Sequence, residues 1–323
     1  MVSKIKKIAV LGGAGLIGSH LVELLVKKGH KVVVIDDFSK GKKQNLKKVK
    51  NKIYIRRMNL ENKKNLHNVL KDCKIFFHLA SKAYGIGYSK NNHSKILLHN
   101  ERITNNLISS LSKIKIEYFQ CVSSSCVYDD NGPLKIKEEL EPKGIPEKAN
   151  LGYGWAKRLL EKKLTTSSKL LGFPLSIVRP FNIYGERYNW VGKNSQAIPM
   201  LIKKIMESDK KIEIWGSGKQ RRNYLHAKDC AAIMYKIFKK KFVSQPVNIG
   251  YENTVSIREL VQRICKLTKK NPKFIYNTNE PEGRFVKSSN SRLLNKITSN
   301  YKPVINLNEG LSLMIGWYKK NFH

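Results

Sequence analysis

Short apolar runs and longer amphipathic stretches take turns along the first half of the chain. Segments 8–11, 31–35, 52–55, 75–79, 117–122 and 175–178 are brief and mostly rich in Ile, Val, Leu and Phe, which predicts strands. Segments 19–28, 95–111 and 154–171 carry apolar residues at helical spacing, which predicts helices. Strand and helix alternating in this way imply an α/β chain with a doubly wound parallel sheet, helices lying on both of its faces. After Pro180 the pattern becomes irregular, with Gly-, Asn- and Trp-rich loops at 189–195 and 215–218. Residues 1–180 are therefore expected to form one domain, to which part of 220–250 returns. Residues 181–323 are expected to form a smaller C-terminal domain folded against it.

Composition narrows the class. The chain has 323 residues, of which 41% are hydrophobic and 27% charged, enough apolar material for a core and too much for a disordered chain. Lys and Arg number 62 against 24 Asp and Glu, a formal charge of +38. A dedicated nucleic-acid function would gather this charge on a recognisable motif, yet the lysines are spread along the whole length and no zinc-finger, RNP or helix-turn-helix pattern accompanies them. The charge reads as solvated surface that would still attract a nucleotide diphosphate. The five cysteines are scattered and form no Cys-x-x-Cys pair, which argues for a reducing compartment and against a metal site. No stretch nears the roughly 18 apolar residues of a membrane helix, and Met1–Lys7 lacks the features of a signal peptide, so a cytoplasmic location without membrane contact is expected.

The first predicted strand runs into Gly12-Gly13-Ala14-Gly15-Leu16-Ile17-Gly18, and a helix follows. Gly12 permits a tight turn, Gly15 lets a pyrophosphate approach the backbone, and Gly18 lets the helix pack on the strand. The amides of this turn, through Leu16 and Ile17 at the start of the helix, face the phosphates together with the positive end of the helix dipole. Asp36 follows about 20 residues on, at the end of the second strand, where a carboxylate binds both ribose hydroxyls and repels a 2′-phosphate. The expected cofactor is NAD. Asn59 and Leu60, after the third strand, fall where the adenine is usually contacted.

Tyr153 and Lys157 are four residues apart on a predicted helix and share one face. A cation there lowers the phenol pKa and makes a base of the tyrosine. Ser123-Ser124-Ser125-Cys126-Val127-Tyr128 lies at the end of a strand, where parallel sheets carry their chemistry. With the glycine loop, these features resemble the extended short-chain dehydrogenase/reductase family, the NAD-dependent nucleotide-sugar epimerases and dehydratases. The resemblance covers essentially the whole chain. It implies a Rossmann-type sheet with a nucleotide-sugar-binding domain, a catalytic triad of Ser124, Tyr153 and Lys157, and a homodimer formed through the helices near 95–111 and 154–171. It also implies that Leu79, Ala80 and Ser81 flank the nicotinamide, that Asn182 reaches the sugar or phosphate, and that Arg222 grips the diphosphate.

Within the family, the stretch from Ala83 through Gly85 to Tyr88, the Ser125-Cys126-Val127-Tyr128 segment and Pro281-Glu282-Gly283-Arg284 resemble the GDP-mannose 3,5-epimerase branch. The GDP-fucose synthase branch shares the Ser-Cys-x-Tyr feature. The likeness implies that Gly85, Ser125 and Arg284 contact the substrate and that Cys126 removes a ring proton, a C4 ketone having made the neighbouring hydrogens acidic. The other reading of Cys126 is a small buried filler, and with it goes simple C4 epimerisation. Both branches carry Lys or His where this chain has Gln196, which cannot titrate; Lys193 is the nearest replacement, or double epimerisation does not occur. The 4,6-dehydratase branch expects an Asp-Glu pair where Ser125-Cys126 stand, so elimination is disfavoured. A protein on this fold that only binds dinucleotide or nucleic acid is the remaining class, and the intact Ser124, Tyr153 and Lys157 argue against it.

Overall fold

A computed structural model describes residues 7–62, 64–188, 190, 195–208, 210–241, 243–280 and 283–322. Lys193 lies outside the described residues. The expected α/β architecture is present. Seven parallel strands, Lys7–Leu11, Lys31–Asp36, Ile53–Arg57, Cys73–His78, Tyr118–Val122, Leu175–Pro180 and Val247–Ile249, form one sheet. In order along the chain they lie 3-2-1-4-5-6-7 across it. The first strand is thus flanked by the second and the fourth, with Leu11 opposite both Ile35 and His78. Connections diverge to either side of that strand and leave a crevice above its carboxyl end.

The central strands read as continuous apolar runs because helices cover both faces. On one face Val10, Val34 and Phe77 meet Leu21 and Leu25 of helix Leu16–Lys27 and Ile233 and Met234 of helix Ala227–Lys239. On the other, Leu11, Phe76 and Phe119 meet Leu107 of helix His93–Leu111 and Leu160 and Leu164 of helix Leu151–Leu171. The last two helices pack so closely at their starts that a Cβ on Gly152 would fall 2.0 Å from the His93 carbonyl oxygen. Helix Arg292–Thr298 also returns to the sheet, Leu294 joining its first core.

The region after Pro180 is more regular than its composition suggested. Helices Ala197–Glu207, Ile257–Thr268 and Leu307–Phe322 surround a parallel strand pair, Lys211–Trp215 with Lys273–Asn277. Their shared core holds Trp190, Ile202, Leu260, Ile264, Met314 and Tyr318, and Trp190 stacks on Trp317 at 5.6 Å. Helix Ile257–Thr268 starts from a complete capping box, the Ser256 hydroxyl accepting from the Glu259 amide while Glu259 accepts from the Ser256 amide. A four-stranded sheet, ordered Val255–Ser256, Arg221–Arg222, Val286–Ser289, Lys135–Ile136, closes the gap between this region and the large sheet.

Glu186 ties the two regions together. It accepts from His226 Nε2 at 3.1 Å and lies 3.5 Å from His20, which belongs to the glycine-loop helix. Burial, then the nearby Arg187, pushes His20 down to about 3, and burial pushes His78 down to about 3 as well. Both therefore stay neutral in the folded chain while the unfolded chain takes up protons below about pH 6.5. Stability falls as pH drops from 6.5 toward 3, by about 1 kcal/mol per pH unit for each histidine. Urea titrations at pH 7.5 and 5.5 check this: the loss on acidification is expected to shrink in His78→Gln.

Candidate active site

Above the carboxyl end of the first strand lies a cleft of about 1070 Å³. Gly12, Gly15, Leu16, Ile17 and Gly18 line it, with Asp36, Asn59, Leu60, Leu79, Ala80 and Ser81. Gly12 has φ +80°, and a Cβ there would lie 2.7 Å from the Ala80 amide nitrogen, so the turn demands glycine. Helix Leu16–Lys27 begins at Gly15 with no side-chain cap and no acidic residue in its first turn, leaving its positive end to the cleft. The Asp36 carboxylate accepts the Ala14 and Phe38 amides, both at 2.9 Å, which fixes it at the rim with lone pairs to spare for ribose hydroxyls. Burial pushes its pKa up. The Asn59 side chain also accepts the Glu61 amide and so closes its own turn. These residues fit NAD.

The loops after the second and fourth strands are joined to one another. Lys82 Nζ reaches Asp37 at 3.1 Å and Ser39 Oγ at 2.8 Å, while Lys40 donates to the Ala83 carbonyl and sits 3.8 Å from the Tyr84 ring centre. Because the first strand lies between those two, this bridge passes over the turn at Gly12. Burial, then Lys82, pushes Lys40 down to about 7.

Deeper in the cleft stand Ser124, Ser125, Cys126, Tyr153 and Lys157. The shared face of Tyr153 and Lys157 is confirmed, with the ammonium 5.5 Å from the ring centre. Lys157 donates to the Val122 carbonyl at 2.8 Å, which anchors it to the fifth strand. Ser81 donates to the Tyr153 oxygen, favouring the phenolate, but burial outweighs this and drives the phenol pKa up. Burial also lowers Lys157 to about 8. The expectation that the lysine alone brings the phenol down is thus corrected: in this dry setting desolvation dominates both groups. The hydroxyls of Ser123 and Ser125 are buried, line the cleft and have no hydrogen-bond partner among the described residues.

Gly85, Asn182, Gln196 and Arg222 line the far part of the cleft. A Cβ on Gly85 would meet the Ser195 carbonyl oxygen at 2.3 Å, so this backbone passes directly beneath the segment that carries Gln196. Asn182 donates to the Asn223 side chain at 3.1 Å. Arg284 is not brought here. Its guanidinium donates to the carbonyls of Asp129, Gly132 and Pro133, and its Nε to that of Val286, so it clasps a loop beside the cleft and has no free edge for a substrate. Arg179, in the sixth strand just before Asn182, is wholly buried and paired bidentately with Glu161 at 2.9 and 2.6 Å.

Two residues escaped the sequence reading. Lys287 Nζ lies 3.6 Å from Cys126 Sγ and 2.5 Å from Glu147, and all three side chains are buried and line the cleft. The Cys126 thiol donates to Glu147, and burial followed by that carboxylate pushes it up to about 11. Glu147 is held below the usual carboxylate range, Lys287 overcoming burial, and Lys287 is raised above its usual value in turn. The signal available was the strand Val286–Ser289, in which a lysine stands among buried neighbours. Among the described residues no three His, Cys, Asp or Glu side chains gather as a metal site requires, and no helix is long and apolar enough to cross a membrane.

The sheet, its glycine turn and the Tyr-Lys pair are those of a dinucleotide-dependent enzyme. Residues 8–250 match the model of the NAD dependent epimerase/dehydratase family, and the chain belongs to that family. It is 29% identical over 320 residues to a UDP-N-acetyl-alpha-D-glucosaminuronate decarboxylase of Bacillus cytotoxicus, 98% of each chain being covered. It is 28% identical over 316 residues to a GDP-mannose 3,5-epimerase of Arabidopsis thaliana, covering 97% of this chain and 82% of that one. The crystal structure of a UDP-glucuronic acid 4-epimerase from Bacillus cereus, in complex with UDP-glucuronic acid and NAD, superposes with a TM-score of 0.83 at 25% identity over 98% of this chain and 100% of that one. The protein is NAD-dependent, as its family is. Gly12→Ala is expected to abolish cofactor retention, read as loss of the NAD released on denaturing the purified protein, while far-ultraviolet dichroism is preserved.

Proposed function

We propose that the protein is a nucleotide-sugar epimerase that works through a transient 4-keto sugar and then moves a proton on a ring carbon beside the ketone, in the manner of a GDP-mannose 3,5-epimerase. The observation that carries this reading is Cys126, whose thiol stands in the same cleft as Tyr153 and touches a buried charged pair. Tyr153 takes the C4 hydroxyl proton, with Ser81 and Ser124 orienting it; burial alone holds the phenol neutral, so the charge of Lys157 is joined by the positive nicotinamide that NAD would bring beside the ring. The glycine turn, Asp36 and the Leu79–Ser81 segment would hold NAD, which would supply the hydride acceptor and donor for C4. A ketone at C4 acidifies the hydrogens on C3 and C5, and Cys126 removes one of them. Gly85, Ser125, Asn182 and Gln196 hold the sugar, and Arg222 holds the diphosphate through the paired donors of its guanidinium. The relative from Arabidopsis thaliana, a GDP-mannose 3,5-epimerase by name, supports this choice.

Inversion at C4 alone is the second reading. The raised thiol pKa of about 11 favours it, because a thiol held neutral is no base by itself. The relative from Bacillus cereus, a 4-epimerase of UDP-glucuronic acid, is consistent with it.

In this reading residues 1–180, with part of 220–250, form the domain that holds the dinucleotide, and 181–323 form the one that holds the nucleotide sugar; the return of strand Val247–Ile249 to the large sheet supports the first boundary. The paired helices His93–Leu111 and Leu151–Leu171 leave Leu98, Trp155 and Leu159 exposed, which supports a homodimer through them. The free, scattered cysteines support a cytoplasmic location.

Tyr153→Phe is expected to lower turnover by about 10²- to 10⁴-fold, and full activity in that variant would sink the mechanism. Incubation with GDP-mannose in D₂O, followed by NMR of the sugar, separates the two readings. Deuterium at C3 or C5 supports the first. C4 inversion without ring deuterium, with GDP-mannose or with UDP-glucuronic acid, supports the second.

A further inference from the structure

We propose that Cys126, Glu147 and Lys287 act as one proton-transfer unit, in which Glu147 accepts the thiol proton and the Lys287 ammonium is the shared counter-ion of carboxylate and thiolate. The proposal rests on the reading that a ring carbon beside the ketone is deprotonated, and it says how a buried thiol becomes able to do so.

The argument starts from distance. Lys287 Nζ lies 2.5 Å from Glu147 and 3.6 Å from Cys126 Sγ, so one ammonium spans both acids. The thiol donates to Glu147, which makes that carboxylate the acceptor already in place. The three groups come from separate elements: the 3₁₀ turn Ser125–Val127, the residue before turn Lys148–Asn150, and strand Val286–Ser289. The Glu147 amide donates to the Cys126 carbonyl at 3.3 Å, and the Ser124 hydroxyl accepts the Cys126 amide at 3.1 Å, so neither acid drifts. Other charged or titratable groups facing the thiol are Tyr153 and Lys157 from the catalytic helix. Arg222 faces the Glu147–Lys287 pair from the neighbouring strand.

Charge conservation favours the transfer. Before it the trio holds a thiol, a carboxylate and an ammonium; after it, a thiolate, a carboxylic acid and the same ammonium. The sum stays at zero, so a dry site is not asked to hold a new net charge. The thiolate then takes the ring proton, the C–H electron pair passes into the enolate, and the sulfur is again a thiol. Return of the proton from this side runs the same steps backward and restores the starting sugar, whereas inversion takes its proton from water on the opposite face of the enolate.

The geometry also fixes what the trio does not do. With Nζ and Sγ only 3.6 Å apart, lysine and cysteine stand on the same side of any ring placed between Tyr153 and Cys126. Lys287 therefore cannot be the donor on the opposite face that Gln196 fails to supply. It is a positioning residue that acts through Cys126.

Two measurements test the unit. The first needs no substrate. The rate of iodoacetamide labelling at Cys126, located by peptide mass spectrometry, is followed against pH. Removing the carboxylate in Glu147→Gln leaves the ammonium alone beside sulfur, so the inflection is expected to move down by more than about one pH unit. In Lys287→Met it is expected to move up or leave the accessible range. An unchanged inflection in both variants overturns the proposal. The second uses GDP-mannose in D₂O with cofactor reduction followed at 340 nm. The ratio of ring deuteration to C4 oxidation is expected to fall at least about 100-fold in Lys287→Met and to recover in part in Lys287→Arg. An unchanged ratio in Lys287→Met also overturns the proposal. Failure of the wild-type protein to deuterate any ring carbon while it still reduces cofactor would instead overturn the reading on which the unit rests.

Discussion

The reversal of strand order about the first strand is the constraint on which the molecule turns. Parallel strands need long crossovers, and crossovers of one hand send the chain left or right of its starting strand. Here the chain goes first to one side and then to the other, so the backbones of the loops after Asp36 and His78 diverge from the strand end between them and are joined there only through the side chains of Lys40 and Lys82. That gap is the cofactor cleft. The residues proposed for catalysis and substrate binding line it from separate elements: Ser124 and Cys126 just beyond the fifth strand, Tyr153 and Lys157 on the helix that leads to the sixth, and Asn182 just beyond that strand.

Side chains buried this deeply make unpaired charge costly, and the protein answers with short, local compensation. Arg179 and Glu161 neutralise each other beneath the sheet, Lys157 leans on a carbonyl, and Lys287 is matched by Glu147. One of these clasps also does mechanical duty. Arg179 binds its strand to the catalytic helix and, through the Tyr128 hydroxyl, to Asn248 of the seventh strand. Removing one partner of such a pair leaves the other charge stranded, which is far more damaging than never having had the pair.

The first half of the fold was legible because parallel strands buried on both faces print themselves as unbroken apolar runs, and because glycines at Gly12, Gly15 and Gly18 follow one of them directly. The Tyr153–Lys157 face was legible from helical spacing alone. The region after Pro180 was read as irregular although three helices build its core. The Ser256–Glu259 capping box ahead of Leu260, Val261 and Ile264 was the sign overlooked. Lys287 stands 161 residues from Cys126 and 140 from Glu147, and no periodicity links positions that only a third element of tertiary structure brings together. Arg284 was chosen from the neighbouring motif, three residues short of the lysine that reaches the cleft, while its own guanidinium turned away to clasp a loop. The Tyr153 pKa was misjudged for a related reason: sequence shows which cation is near and says nothing of how much water has been excluded.

The bridge formed by Lys40 and Lys82 over the Gly12 turn bears on the life of the enzyme between turnovers. Opening the bridge means parting contacts to Asp37, Ser39, Ala83 and Tyr84 together. Concerted opening of several contacts is slow compared with loss of any one. A sugar-processing cycle that gives back each hydride it takes has no need of such opening. In the cycle proposed above, the redox couple would stay with the protein as a private possession, and the pace of catalysis would follow the supply of sugar nucleotide, insulated from swings in the oxidised-to-reduced ratio of the surrounding pool.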